Sequence, residues 1–408
     1  MVSLQNQQSN NYTILRPHKL IAGSNRLKLG KMLGRIMTKA YACFVSVFVV
    51  VSCVTESGQG DVHVISVDIN RQADISEFVT SFDGWIPLET NEDCLVDEIR
   101  KLKMAGDTIY IADDTKITMF SRLDGSYLGK IHKQGRGPGE YITLTDFDVR
   151  DSRLYVLSNV DCEIIVYNAF GDVLKTIDTG EGFEELSVID DDNIWLYSSN
   201  SNNSMYNFIL IGPDASVKAK YDPFPKNLSH IIKDITFCGS DSDTLYTSQY
   251  YDNTVYSLHK DGYTPLYRFD MNLRNVISQE ELSATSLSDL QDTYRYKESF
   301  RSVKHIDKSG HALFAETWCF LTGKALRTCL IKADIDTGCA SFFLQGEEVD
   351  DRFPLFDLSS IIGYDGKTLI SYIPASSAKR FQKEYGLDYF SGISDYDNPV
   401  IVFHTLNY

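Results

Sequence analysis

LYVLSNVDCEIIVYNAFG, from Leu154 to Gly171, decides the fold. An apolar strand runs into a polar tip, a second strand follows, and a glycine-centred turn closes the unit. The same order returns in IYIADDTKITMFSRLDG (Ile109–Gly125), IWLYSSNSNNSMYNFILIGPD (Ile194–Asp214) and LYTSQYYDNTVYSLHKDG (Leu245–Gly262), with successive starts 45, 40 and 51 residues apart. Repeats of roughly 40 to 50 residues have the length of a four-stranded propeller blade. One blade cannot cover both of its faces, so the units must stack around an axis, and loops near that axis become the natural place for function.

Within the second unit the spacing predicts an innermost strand over Ile142–Val149, then Arg153–Leu157, Cys162–Asn168 and an outermost strand over Asp172–Ile177. Turns at Asp124-Gly125, Gly171-Asp172 and Asp261-Gly262 are expected to supply the positive φ of tight hairpins. The pattern resumes at HALFAETW from His311 and TLISYI from Thr368, so four clear units and two degenerate ones make six. The expected fold is therefore all-β: a six-bladed β-propeller of four-stranded antiparallel blades, spanning 62–408. Two short helical insertions interrupt it. One lies between Asn272 and Phe300, where Ser278 and Glu281 form a capping box, and the other is SSAKRFQKEYG over Ser376–Gly386. Ring closure is expected from Val62–Ile69 pairing into the last blade beside Val400–Leu406, which removes an exposed edge.

Residues 1–52 have another composition, with seven Lys or Arg and no Asp or Glu. They end in AYACFVSVFVVVSC, Ala40–Cys53, an apolar run that is short for a membrane span and has the layout of a secretory signal. Val50-Val51-Ser52-Cys53 resembles a bacterial lipobox, so Cys53 is expected to carry lipid and to begin the mature chain. Met32 or Met37 would start a more ordinary leader. Residues 53–61 then read as a tether. Without the leader, 32 cations face 56 acids and the net charge is near −24. Phosphate-rich partners are repelled, which excludes nucleic acid. The full chain is 43% hydrophobic and 12% aromatic, which excludes disorder for most of it. Six cysteines follow Cys53, most of them expected as buried small hydrophobes. In WCFLTGKALRTCLIKAD a hairpin centred near Lys324 would set Cys319 across from Cys329; two free thiols and a disulfide are the alternatives.

GKIHKQGRGPGEYITLTDFDV, Gly129–Val149, carries a loop of Gly135, Gly137, Pro138, Gly139, Glu140 and Tyr141 with Arg136 in its variable slot. Pro138 and Gly139 suit a type II turn, and the next element reads as a strand with no Lys-Ser/Thr, so a structural turn is favoured over a phosphate cradle. Together with LYVLSN, this stretch resembles the six-bladed β-propeller lipoproteins of anaerobic Gram-negative bacteria, whose blades are similar to NHL repeats. The resemblance extends from Leu88 to Tyr408 and implies the fold and an envelope address, but no agreed activity.

Each second strand ends in polar or aromatic residues expected on one ring face. From these tips and the GPGE loop, the candidate ligand-binding residues are Arg136, Glu140, Asp113, Asn159, Tyr250, Glu316, Trp318 and Tyr372. Carboxylates, amides and aromatic faces held by strands can hydrogen-bond and stack on a ligand. The expected function is a binding or interaction module for a glycan, a peptide or an envelope protein. The chain would be a monomer, held to the outer membrane only by its N-terminal lipid and facing the periplasm or the cell surface. The alternative is a metal-assisted hydrolase or lactonase using Glu316, Asn159 and Asp113 at the axis. No catalytic residue, metal ligand or cofactor is assigned. The Asp190-Asp191-Asp192-Asn193 run reads as a hairpin turn, with calcium as its alternative.

Overall fold

The computed structural model describes residues 62–224, 237–241, 244–249, 252–273, 276, 281, 297–321, 326–345, 350, 352–385 and 390–408. Two strands, β1 (His63–Gln72) and β2 (Val79–Pro87), precede the repeats. Quartets follow in chain order: β3 (Lys101–Ala105), β4 (Thr108–Ala112), β5 (Ile117–Ser121) and β6 (Tyr127–Ile131); then β7 (Asp146–Arg150), β8 (Arg153–Ser158), β9 (Glu163–Tyr167) and β10 (Val173–Asp178). The third is β11 (Glu185–Asp190), β12 (Asn193–Tyr197), β13 (Tyr206–Ile211) and β14 (Val217–Pro223). Next come β15 (Phe237–Asp241), β16 (Thr244–Ser248), β17 (Thr254–His259) and β18 (Gly262–Asp270), then β19 (Ser299–Ser309), β20 (Ala312–Phe320), β21 (Leu326–Asp334) and β22 (Cys339–Leu344). The chain ends with β23 (Ile361–Asp365), β24 (Thr368–Ile373), helix α1 (Ala375–Tyr385) and β25 (Val400–Leu406).

The arrangement is all-β and β-propeller-like, with antiparallel quartets running outward from β3, β7, β11 and β23 in four-stranded sheets. A nine-stranded sheet has the order β15-β16-β17-β18-β1-β22-β21-β20-β19. Alternation along each strand explains the stacking. On β8, Leu154 and Val156 enter the core shared with the β3–β6 sheet, whereas Tyr155 and Leu157 enter the core shared with β11–β14. Every second side chain thus belongs to a different neighbour, which is why these strands are apolar on both faces. A further core joins Ile370 and Ile401 of the last sheet to Leu102, Ile109 and Ile111 of the first. The sheets therefore close on themselves through side-chain packing. Truncating a fully buried member such as Leu157 to Ala is expected to cost about 2–5 kcal/mol.

Closure differs from the sequence expectation. β1 does not meet β25; it runs parallel to β18 through His63↔Tyr267 to Ser66↔Asp270, and parallel to β22 through Ser66↔Cys339 and Val67↔Ala340. The strand beside β25 is β2, paired antiparallel from Val79↔Leu406 to Pro87↔Val400. Both segments alternate, but β2 carries Val79 and Trp85 toward cores that β25 also fills, and that complementarity is invisible in local pattern.

Other corrections are local. In the β20–β21 ladder Cys319 faces Arg327 and Cys329 faces Thr317, because the hairpin centre lies one residue earlier than expected and every partner moves by two. Both thiols are free and buried. Gly125 (φ 76°) and Gly171 (φ 82°) do supply positive φ, whereas Gly262 begins β18 outside that region. Helix α1 forms where expected but starts at Ala375, with Pro374 accepting the Ser377 and Ala378 amides, so Pro374 and not Ser376 stands at its head. The leader, Cys53, the tether, Tyr250 and most of the Asn272–Phe300 insertion lie outside the described residues.

Candidate functional site

The innermost strands β3, β7, β11, β15, β19 and β23 together line one cavity of about 800 Å³. Inner strands have apolar neighbours on their flanks and an edge turned to the axis, so charged side chains placed there must find partners across sheets. Along one arc they do so in register. Lys101 and Lys103 on β3 lie two residues apart on one face, as do Asp146 and Asp148 on β7. Lys101 Nζ donates to Asp146 Oδ1 at 2.6 Å, and Lys103 pairs with Asp148. The second oxygens accept from the next sheet: Asp146 from the Leu186 amide at 2.9 Å and Asp148 from the Val188 amide at 2.8 Å. Each carboxylate thereby ties three consecutive sheets. Burial opposes the Lys101 charge, but Asp146 and Asp148 outweigh it and raise its pKa.

Between β19, β20 and β23 lies a different cluster. Glu316 is 1% exposed, with Lys304 Nζ 2.7 Å from Oε1 as an ion pair and the Tyr364 hydroxyl donating to Oε2. The His305 ring stacks on Tyr364 with centroids 3.5 Å apart and planes at 8°. His305 Nε2 is sealed from solvent and has no hydrogen-bond partner among the described residues. Burial drives the imidazole pKa down to about 3, so the ring is neutral at ordinary pH. Burial, then the Glu316 carboxylate, raises the Tyr364 pKa well above its usual value. Half-buried Trp318 completes the corner, with Lys304 Nζ 4.9 Å and Arg301 Cζ 5.4 Å from its ring centroid. Lys304, His305, Glu316, Trp318 and Tyr364 all face the cavity.

Of the eight sequence candidates, the structure brings Asp113, Glu316 and Trp318 to the cavity wall. Asp113 is 4% exposed and paired with Lys116 at 2.8 Å. Burial alone would raise its pKa, but hydrogen bonds from Lys116 and from the Thr115 and Lys116 amides bring it below the ordinary value. Asn159 and Tyr372 are not part of the wall; Asn159 Oδ1 accepts from Thr143 Oγ1 at 3.1 Å, and Tyr372 packs between the first and last sheets. Arg136 is exposed on its loop, away from the cavity lining. Glu140 has an internal duty, since its Oε2 accepts the Gly137 amide at 2.7 Å and sits where a Cβ on Gly135 would lie, 1.9 Å away. The loop's own carboxylate occupies the amide an anion would need. Gly139 takes φ 73° with its Cα pressed toward Val173, and Tyr141 donates to the Thr115 carbonyl at 2.7 Å, which anchors the turn. Glu316 and Asp113 are each ion-paired and Asn159 lies elsewhere, so the axial trio does not converge. The Asp190 run is a hairpin turn in which Asp190 accepts the Asp192 amide at 2.8 Å. No group of three or more His, Cys, Asp or Glu side chains is placed to hold a metal among the described residues.

Lys304, His305 and Tyr364 are the wall residues that the tip-based reading missed. Their signal is weak but present: a Lys-His pair inside an otherwise strand-like segment, and the spaced charges KLK at 101–103 and DFD at 146–148.

The fold has solved counterparts. A protein of Bacteroides fragilis described as exported superposes with a TM-score of 0.63 at 15% identity, covering 85% of this chain and 99% of that one. A DUF4221 family member from Bacteroides vulgatus gives 0.46 at 9% identity, over 81% of this chain and 97% of that one. No curated protein matches the sequence. Among the described residues no helix is long and apolar enough to cross a membrane. The family described as Domain of unknown function (DUF4934) matches residues 62–405, and the chain belongs to it.

Proposed function

We propose that the chain is an exported, lipid-anchored propeller that serves as a binding module, with the axial cavity as its ligand site. The observation that carries this reading is the convergence of six inner strands on one polar, aromatic-cornered cavity of about 800 Å³, within the ~300–1,000 Å³ range of small-molecule sites. In this reading the nine-stranded sheet is two blades joined at their rims by β1, which gives six blades similar to NHL repeats. The cationic leader, the apolar run to Cys53 and the exported description of the Bacteroides fragilis protein support the envelope address. Arg136 and Glu140 leave the ligand set, and Glu316 and Trp318 stay in it with Lys304, His305 and Tyr364. Glycan, peptide and envelope protein are the candidate partners of such a wall.

Binding is tested by titrating the purified mature protein against glycan and peptide arrays, with Trp318→Ala as the cavity variant. Loss of a specific signal in the variant is the expected result. No ligand on either array, or equal binding by the variant, sinks the reading. Labelling with a fatty-acid analogue in cells checks the anchor: wild type should incorporate it and Cys53→Ala should not.

A further inference from the structure

Acids outnumber cations on the cavity wall, and every cation there is already paired. All four cations that line it lie within 4 Å of a carboxylate. The pairs Lys101–Asp146 and Lys304–Glu316 have separations of 2.6 and 2.7 Å. An anionic ligand would have to displace a carboxylate from each cation it used, while the remaining acids repelled it. What the Lys304–Glu316 pair offers without rearrangement is hydrogen bonding: spare ammonium hydrogens set beside a carboxylate oxygen. That side-by-side spacing suits neighbouring hydroxyls on a ring. The corner adds flat apolar surface through Trp318 and the His305–Tyr364 stack.

We infer that the cavity takes a short neutral saccharide, its hydroxyls read by the Lys304–Glu316 pair and its ring faces lying against the Trp318 corner; this rests on the binding reading above. A wall whose cations are all paired gains many weak hydrogen bonds from an uncharged polyhydroxylated ligand and no long-range attraction to it. Its affinity is therefore insensitive to salt. Acidic oligosaccharides and acidic peptides are rejected by the same pairing, because no cation on the wall is left to neutralise them.

The experiment is calorimetric titration of the mature protein with neutral trisaccharides (cellotriose, maltotriose, xylotriose, mannotriose and triacetylchitotriose) alongside trigalacturonate, trilysine and triglutamate. At least one neutral sugar should bind, with less than about a twofold change between roughly 0.05 and 0.5 M salt. Trp318→Ala should weaken it by about tenfold or more. The double substitution Lys304→Met with Glu316→Gln, which removes the pair without stranding either charge, should do the same. If Trp318→Ala fails to fold, Trp318→Phe takes its place. Binding confined to a charged probe, a steep loss of affinity with salt, or full affinity in the folded variants overturns the inference. A charged probe that binds and is lost in the Trp318 variant would leave the binding module standing while removing the neutral sugar; silence from every probe removes both.

Discussion

Two arcs of the same cavity use charge in opposite ways. Between β3, β7 and β11, Asp146 and Asp148 divide their oxygens between a lysine of the preceding sheet and an amide of the following one. Between β19, β20 and β23, Glu316 also holds a lysine and a tyrosine, but Lys304, His305 and Trp318 keep atoms turned to the cavity. The first arc is a girdle whose polar capacity is consumed by the protein. The second retains capacity for something else. An inner strand can thus hold charge for two distinct reasons, and the difference lies in where the second oxygen and the neighbouring ring atoms point.

The sharpest way to break this contrast is to remove one carboxylate from the girdle. Asp148→Ala strands the Val188 amide and frees Lys103, whose side chain is 39% exposed and can turn to water. A loss of about 3 kcal/mol is therefore expected, near the lower end for a broken buried pair, read from urea unfolding. Ligand affinity in the fraction that remains folded should hardly change. Next in size is Tyr364→Phe, which removes one hydrogen bond to Glu316 and should cost about 1.5–3 kcal/mol, since the acceptor is charged. Unlike the girdle change, it should also weaken any cavity ligand. A loss confined to stability would make the two arcs equivalent.

Acid sharpens the comparison further. The unfolded chain takes up the His305 proton near 6.5 and the folded chain only near 3, so this residue's contribution is fully present above about 6.5 and is lost as pH falls toward 3. His404, sealed in the last sheet with a pKa near 4, acts in the same direction. His305→Gln should flatten the decline of stability between pH 6.5 and 4 while leaving the His404 share; an unchanged profile would show that the imidazole is not held neutral. The smallest effect is expected at Glu184, which faces the cavity outside both arcs. Glu184→Gln should alter stability by no more than about 0.5 kcal/mol in thermal unfolding.

The repeat at Ile109, Leu154, Ile194 and Leu245 was legible because each strand is buried on both faces by neighbours, and apolar alternation records that burial directly. Helix α1 and the GPGE turn were legible for the same local reason: Pro138 and Gly139 need no distant partner to bend the chain. Half of the site was not. Trp318 and Glu316 were found because they end a repeat strand, but Lys304 and His305 sit within a mostly polar strand, SFRSVKHIDKS, in which nothing local sets them apart. The internal partner of Glu140, the Gly137 amide, was not legible because the turn itself creates it.

Sequence by itself determined the stacked-sheet architecture and the acidic balance of the chain, since these follow from periodicity and composition within each segment. Only the tertiary structure decided that β2 rather than β1 meets β25, that β1 bridges two quartets, and which charges meet across the axis. Those outcomes depend on register between strands far apart in the chain. A shift of a single residue would send every side chain to the opposite face, and no local pattern records that choice.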